Sequence, residues 1–247
     1  MMNRFFFILC IIIFSQCSEN VKQNEKSTNC ENSRFYGKIE VCLPEIDGMR
    51  ECMTHPKLKG RPGILVSEQN TTLGIYINDS SINQLEASQT PENIGLNGYF
   101  KVYGIGKMEG MQIGQSEFDA FAETFKNQFV HNDWNIVKME ISMLNLEKEM
   151  NNFRAKAGKP ILHISNSFDK QVEILNYKPN EQIVTSVLIL LSSTDENKAL
   201  VNTMSIVRVL DTILFYSYYQ TYKDENTIEQ VKNQNDIFGM ALLKINN

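Results

Sequence analysis

The chain has 247 residues, of which 42% are hydrophobic and 21% are charged, with 13 glycines and 6 prolines. This composition excludes a disordered, collagen-like or multi-span membrane protein, and it indicates a globular chain of one large domain or two small ones. The formal net charge of −5 argues against nucleic acid as the main partner, because a nucleic-acid-binding domain presents a basic face.

The first sixteen residues have the pattern of a signal peptide. Arg4 precedes an apolar run from Phe5 to Phe14. As a helix this run is about 15 Å long, half of what the hydrocarbon core of a bilayer requires. We therefore expect residues 1–16 to direct export and to be removed, rather than to span a membrane.

The residues that end this run, Phe14-Ser15-Gln16-Cys17, resemble a bacterial lipobox. The resemblance implies cleavage before Cys17 and acylation of that cysteine. Cleavage after Cys17 by ordinary signal peptidase is the alternative, and it would release a secreted protein. Residues 17–34 are polar and lack apolar periodicity, which is typical of a flexible tether and favours the lipid anchor.

Three cysteines would remain after lipidation of Cys17, an odd number in an oxidising compartment. Cys42 and Cys52 bracket a segment in which proline and glycine can turn the chain back, so a Cys42–Cys52 disulfide is predicted. Cys30 would then be free or an alternative partner. The spacing of these residues does not fit a zinc site, and no metal is predicted.

Strand patterns dominate from Phe35 onward. Short β-branched or aromatic segments, bounded by Gly, Asn or Pro, predict strands at 35–42, 63–67, 72–78 and 99–105. Further strands are predicted at 134–143, 159–168, 170–177, 181–192, 199–210 and 212–222. Because most of these strands follow one another through short turns, they indicate an antiparallel sheet.

Three segments have helical periodicity. Residues 116–130 begin with a predicted capping box at Ser116 and Asp119 and place four phenylalanines on one face; residues 145–157 and a C-terminal segment from about Thr227 also have one apolar stripe each. A helix with a single apolar stripe packs on a sheet with that stripe. We therefore predict one α+β domain at residues 35–247.

The order of these elements resembles the PsbP/Mog1-like fold, a curved antiparallel sheet flanked by helices. The resemblance covers residues 72–247, from TLGIYIND through GQSEFDAFAETFKNQF and the strand meander to the closing helix TIEQVKNQNDIFGMALLKI. It implies a binding or assembly factor rather than an enzyme. No functional residue of the family can be assigned to a position of this chain.

The motifs that carry catalysis or cofactor binding are not evident. The glycines of Gly104–Gly110 do not have the spacing of a nucleotide-binding loop and indicate a turn. His55, His131 and His163 are scattered, and a dyad of Cys52 with His55 lacks an orienting third group. We therefore assign no catalytic residue and no cofactor.

An aromatic row near the C-terminus is the candidate partner surface. Tyr216, Tyr218 and Tyr222 lie on a predicted strand that has aromatic residues on both faces. One set must then face outward or lie beneath a helix. Core or helix-packing positions are the more common role of such a row. Tyrosine is nevertheless enriched at protein interfaces, so this edge is the candidate surface for a protein partner.

These observations predict a non-enzymatic lipoprotein of the bacterial cell envelope that faces the periplasm or the cell surface. The expected partners are the membrane, through the lipid anchor, and a protein or another envelope component, as in accessory, assembly or immunity proteins. A secreted hydrolase, with a site assembled from distant positions, is the alternative.

Overall fold

In the computed structural model the described residues are 30–58, 69–88, 96–129, 170–191 and 199–247, with positions 137, 141, 149–150, 152 and 154–156. The strands are β1 (Ser33–Tyr36), β2 (Ile39–Cys42), β3 (Met49–Glu51), β4 (Asn70–Asn78), β5 (Tyr99–Ile105), β6 (Lys170–Asn180), β7 (Ile183–Leu191), β8 (Ala199–Val209) and β9 (Thr212–Thr221). The helices are α1 (Asp79–Ala87), α2 (Gln115–Lys126) and α3 (Glu225–Asn246), with short 3-10 turns at Pro56–Leu58 and Gly106–Met108.

Seven strands form one antiparallel sheet in the order β3-β4-β5-β9-β8-β7-β6, and β1 and β2 form a separate hairpin. The strand order departs from the chain order at one point, where β9 lies between β5 and β8. The α+β class with an antiparallel sheet flanked by helices is therefore confirmed.

The helices lie on both faces of the sheet. Phe238 and Leu242 of α3 pack against one face, where they meet Phe100 and Tyr216. The opposite face carries α2, whose Phe118 packs with strand residues of β7, β8 and β9, and α1, which packs on β4. Since successive strand residues point to opposite faces, the two apolar layers use alternate positions of the same strands.

A polar network lies buried between α3 and the sheet. Asn235 is 0% exposed and accepts hydrogen bonds from Thr203 Oγ1 at 2.7 Å and Ser205 Oγ at 3.1 Å. Its amide nitrogen donates to Thr185 Oγ1 at 3.2 Å. Because a slipped helix would leave these groups without partners, the network defines how α3 sits on the sheet.

α3 also approaches the sheet closely at Gly239. A Cβ atom at this position would overlap the hydroxyl of Tyr216 and would lie 3.0 Å from Ile183 Cδ1. The Tyr216 side chain is 0% exposed, and its hydroxyl makes no direct hydrogen bond among the described residues. Glycine is therefore needed here for packing.

The β1–β2 hairpin is bound to the rest of the domain through Tyr36 at its turn end and through Cys42 at its other end. Tyr36 packs on Gly104 and donates its hydroxyl to the Ile105 carbonyl at 2.6 Å. At the other end, Asn246 accepts a hydrogen bond from the Cys42 N–H and donates one to the Cys42 carbonyl, both at 2.8 Å. The hairpin thereby connects the start of the described chain to the end of α3.

The predicted disulfide Cys42–Cys52 is wrong. Cys42 is bonded to Cys30, with the two Cα atoms 5.6 Å apart, and Cys52 is a free, buried thiol. The reason is geometric: Cys52 packs on the α1 side of the sheet with Ile75, whereas the Cys42 backbone binds Asn246 of α3 on the other side.

Four local predictions also need correction. Residues 35–42 form a hairpin with a turn at Gly37 (φ +63°) rather than one strand, and Ser33 and Arg34 of the predicted tether belong to β1. Within the predicted strand 134–143, the described positions Val137 and Ile141 are helical and buried, because their spacing of four fits a helix as well as a strand. The α2 helix begins at Gln115 after Gly114, without the predicted capping box. The predicted strands 63–67 and 159–168 lie outside the described residues.

Candidate functional site

The predicted aromatic surface does not form. Tyr216 is 0% exposed and Tyr218 is 7% exposed, and both belong to the core beneath α3. Tyr222 is partly buried and packs against the same core. The prediction failed because α3 turns back over the face of β9 that carries these residues.

Within the described segments, no hydrogen bond joins the Cys52 thiol to the His55 ring, whose contacts are with Lys57 and Glu86. Burial raises the pKa of the Cys52 thiol to about 11, so the thiol stays protonated at neutral pH and is a poor nucleophile. His55 Nε2 lies 3.8 Å from Glu86 Oε1, and its Nδ1 accepts the Lys57 N–H at 3.3 Å. His131 and His163 lie outside the described residues. Across the described segments, no group of three or more His, Cys, Asp or Glu residues is placed to hold a metal ion.

A concave surface in the described part of the molecule is a groove between helix α2 and strand β6, which we call the α2–β6 groove. It consists of two open clefts of about 430 and 550 Å³ that meet at Lys178. Its residues are Gln115, Asp119, Lys126 and Asn127 on the helix side and Glu173, Asn176, Tyr177, Lys178, Asn180 and Glu181 on the strand side.

The groove exists because α2 is amphipathic. Its buried residues Phe118, Ala122 and Phe125 pack on the sheet. Asp119 and Lys126 lie on the polar side of the helix and border the groove.

The charges in the groove are mixed and only loosely paired. Lys178 Nζ lies 3.8 Å from Asp119 Oδ1, and these side chains are 39% and 52% exposed. Lys126 pairs with Glu123 at 2.6 Å on the helix surface. Exposed ion pairs of this kind contribute at most about 1 kcal/mol, so charges of a bound molecule can replace them at little cost.

A buried carboxylate lies in the first cleft. Glu173 is 5% exposed, and the Asn176 amide nitrogen contacts Glu173 Oε2 at 3.5 Å and donates to Ser186 Oγ at 3.1 Å. These contacts hold Asn176 and Glu173 in place, so this part of the groove is a preorganised polar surface.

The shape and chemistry of the groove suit a peptide better than a small apolar molecule. The strand segment from Glu173 to Glu181 extends for about 25–30 Å, long enough to lie alongside an extended peptide. The open form and alternating charges provide hydrogen bonds and ion pairs along that length. Sequence analysis predicted both elements but not their adjacency, since no local signal brings residues 115–127 next to residues 173–181.

Among the helices in the described ranges, none is long and apolar enough to cross a membrane.

The comparisons with known proteins concern the fold alone. No protein-family profile matches the sequence, and no curated protein matches it. A solved mutant of protein Mog1 is similar to this chain with 10% identity and a TM-score of 0.30, over 87% of this chain and 90% of that chain. The Saccharomyces cerevisiae Ran-binding protein Mog1p is similar with 10% identity and a TM-score of 0.32, over 84% of this chain and 86% of that chain. Both belong to the fold type that the order of elements resembles.

Proposed function

We propose that this protein is a lipid-anchored protein of the bacterial envelope that binds a protein partner through the α2–β6 groove. The observation that carries the binding role is the mixed-charge groove itself, in which Lys178 and Asp119 are exposed and weakly paired. An extended peptide with alternating charges would complement these side chains.

The anchor is supported by the lipobox-like sequence at Cys17 and by the polar segment that follows it. The disulfide between Cys30 and Cys42 ties the end of that segment to the domain, thirteen residues after Cys17. A flexible chain of this length has a root-mean-square span of about 20 Å, which would hold the domain close to the membrane surface.

A cysteine substitution tests the anchor. In a bacterial host that processes lipoproteins, we expect the wild-type protein in the membrane fraction with an acyl mass on Cys17, and the Cys17→Ser protein in the soluble fraction. A Cys17→Ser protein that stays bound to membranes after a high-salt wash would refute acylation as the means of attachment.

Crosslinking in cells tests the groove. A photoreactive amino acid at position 178 is expected to give a discrete crosslinked product, whereas the same amino acid at Ile237, which is 55% exposed on the outer side of α3, is the matched control. A product from position 237 and none from position 178 would place the partner elsewhere.

A charge swap separates a binding role of the groove from a structural one. Lys178→Glu and Asp119→Lys each break the pair, and the double variant restores it with reversed polarity. The readout is the yield of crosslinked partner from a photoreactive amino acid placed at a third groove position, Asn180. If Lys178 and Asp119 contact a partner, this yield stays below that of the wild type in the double variant, because both charges that the partner meets are reversed. Full recovery in the double variant would show that the pair serves only the fold.

A further inference from the structure

A polar pair lies between two aromatic stacks on the sheet face that carries α1 and α2. Lys101 of β5 is directly opposite Ser217 of β9. On one side of this pair Tyr99 stacks on Tyr219, with ring centroids 4.8 Å apart. On the other side Tyr103 stacks on Phe215 at 5.4 Å. The register therefore places one cation and one hydroxyl between two walls of aromatic rings.

Lys101 is a partly buried cation. Its Nζ lies 5.7 Å from the centroid of the Tyr103 ring, and burial lowers the pKa of its ammonium group. Among the ion pairs of the described residues, none involves Lys101. A half-buried ammonium that faces aromatic rings, with no carboxylate partner among the described residues, favours a nearby anion.

Two buried polar atoms on the same face of the sheet as Lys101 make no direct hydrogen bond among the described residues. Ser217 Oγ belongs to a side chain that is 0% exposed, and Asn202 Oδ1 to one that is 2% exposed. Asn202 is directly opposite Tyr219, the residue two positions after Ser217 on the same face of the sheet. Buried polar groups almost always have partners, so two such atoms on the face that carries Lys101, a cation without an ion pair among the described residues, point to a ligand.

Tyrosine hydroxyls complete the cluster. Burial raises the pKa of Tyr103 to about 12 and also raises the pKa of Tyr219. The Ser217 hydroxyl has a smaller, opposite effect on both pKa values, because it lies close to both tyrosine hydroxyls without making a direct hydrogen bond to either. Both hydroxyls are therefore protonated at neutral pH and can donate hydrogen bonds to an oxyanion.

We propose that Lys101, Ser217, Asn202 and the two tyrosine hydroxyls form a binding site for a small carboxylate that also carries a hydroxyl or amino group. The single ammonium matches a monoanion, and the Ser217 and tyrosine hydroxyls are donors for the carboxylate oxygens. Asn202 Oδ1 is an acceptor and calls for a donor on the ligand. The aromatic stacks on either side exclude water and strengthen these contacts. This site and the α2–β6 groove share no residue, so neither proposal depends on the other.

Three probes on the purified full chain test the proposal. Lactate has both the carboxylate and the hydroxyl, acetate has only the carboxylate, and 1,2-propanediol has hydroxyls without charge. By calorimetry at constant ionic strength with chloride as the balancing anion, we expect lactate to bind, acetate to bind more weakly, and propanediol not to bind. Equal affinities for lactate and chloride, or no heat with lactate, would overturn the proposal.

Variants show whether binding occurs at this cluster. Lys101→Met keeps most of the apolar stem and removes the charge, and we expect lactate affinity to fall about tenfold or more, the usual effect of losing a charged hydrogen bond. Lys107→Met, at an exposed position just after β5, is the control and should bind lactate like the wild type. Equal loss in both variants, or no loss in either, would show an adventitious anion only.

A second variant covers the case in which Lys101→Met does not fold. Ser217→Ala removes a buried hydroxyl that makes no direct hydrogen bond among the described residues, so the fold should be retained with equal or higher stability. We expect weaker lactate binding by this variant. Unchanged affinity in Ser217→Ala would overturn the site.

Discussion

The contact between Gly239 and Tyr216 gives the sharpest test of how α3 packs on the sheet. In isolation, Gly239→Ala should stabilise a helix by about 1 kcal/mol, because alanine has the better helix propensity. In this protein the new Cβ would overlap the Tyr216 hydroxyl and would lie 3.0 Å from both Tyr216 Cζ and Ile183 Cδ1. Tyr216 cannot move away, since its side chain is completely buried.

The free-energy cost of overpacking at position 239 is larger than the gain in helix propensity from alanine. Overpacking a core costs about 1–3 kcal/mol, and a rigid ring beneath a helix belongs at the upper end of that range. After the gain in helix propensity, Gly239→Ala should lower the free energy of unfolding by about 2 kcal/mol. Tyr216→Phe removes a buried hydroxyl that makes no hydrogen bond, so alone it should be neutral or slightly stabilising.

The double variant isolates the contact. With Phe at 216 the overlap is gone and shifts of a few tenths of an ångström relieve the remaining contacts, so Gly239→Ala should then cost less than about 1 kcal/mol. Equilibrium urea denaturation of the four proteins of the cycle measures this, provided that the m-values agree. A coupling energy below about 0.5 kcal/mol, the usual limit of additivity, would refute the close packing of α3 on Tyr216.

Four further predictions concern the chain ends, the disulfide, the free thiol and a turn. Asn246→Ala removes both hydrogen bonds to the Cys42 backbone and should cost about 2 kcal/mol in chemical denaturation, against less than about 0.5 kcal/mol for the exposed Lys244→Ala. Cys42→Ser should lower the free energy of unfolding by about 2–3 kcal/mol, because it removes the disulfide to Cys30. Non-reducing peptide mapping of the wild-type protein should find Cys52 unbridged and alkylated only after unfolding, and a bridge to Cys52 would contradict the structure. Burial raises the pKa of the Cys52 thiol from 9.0 to about 11, so the unfolded chain loses this proton at lower pH than the folded protein does. The free energy of unfolding should therefore be unaffected by this thiol below pH 9 and should fall as the pH rises from 9 toward 11. In Cys52→Ala, a plot of unfolding free energy against pH should lack this fall. Leu210 has a φ of +48°, which is unfavourable for leucine, so Leu210→Asn should raise the unfolding free energy by about 0.5–1 kcal/mol, and an unchanged or lower melting temperature would argue against that turn geometry.

Most strands and helices were predictable because their signals are local. The predicted strand 99–105 coincides with β5, and the predicted strand 212–222 differs from β9 by a single residue at its end. In both, alternation of side chains agrees with the way the strand is buried. Where apolar spacing fits two periods, as at Val137 and Ile141, the local signal does not decide between helix and strand.

The functional surfaces depend on contacts between distant parts of the chain, and these were not predictable. Strand alternation shows that β9 has two aromatic faces, but only the docking of α3 determines that Tyr216 and Tyr218 are core residues. The groove requires α2 to lie beside β6, and the Lys101–Ser217 pair requires β9 to enter the sheet next to β5, 116 positions away in sequence (217 − 101). Cys42 had two possible partners within reach along the chain, and the side of the sheet on which each lies decided between them.

The bond between Cys42 and Asn246 has a consequence for the order of assembly, since it joins residues 204 positions apart. The Cys30–Cys42 loop is short and can close early, whereas its docking site is complete only when Asn246 is present. A chain that emerges from a ribosome or an export channel must therefore hold its first hairpin undocked until the turn of α3 that carries Asn246 has been delivered. Asn246→Ala would leave the other elements intact and still remove both hydrogen bonds of this closing contact.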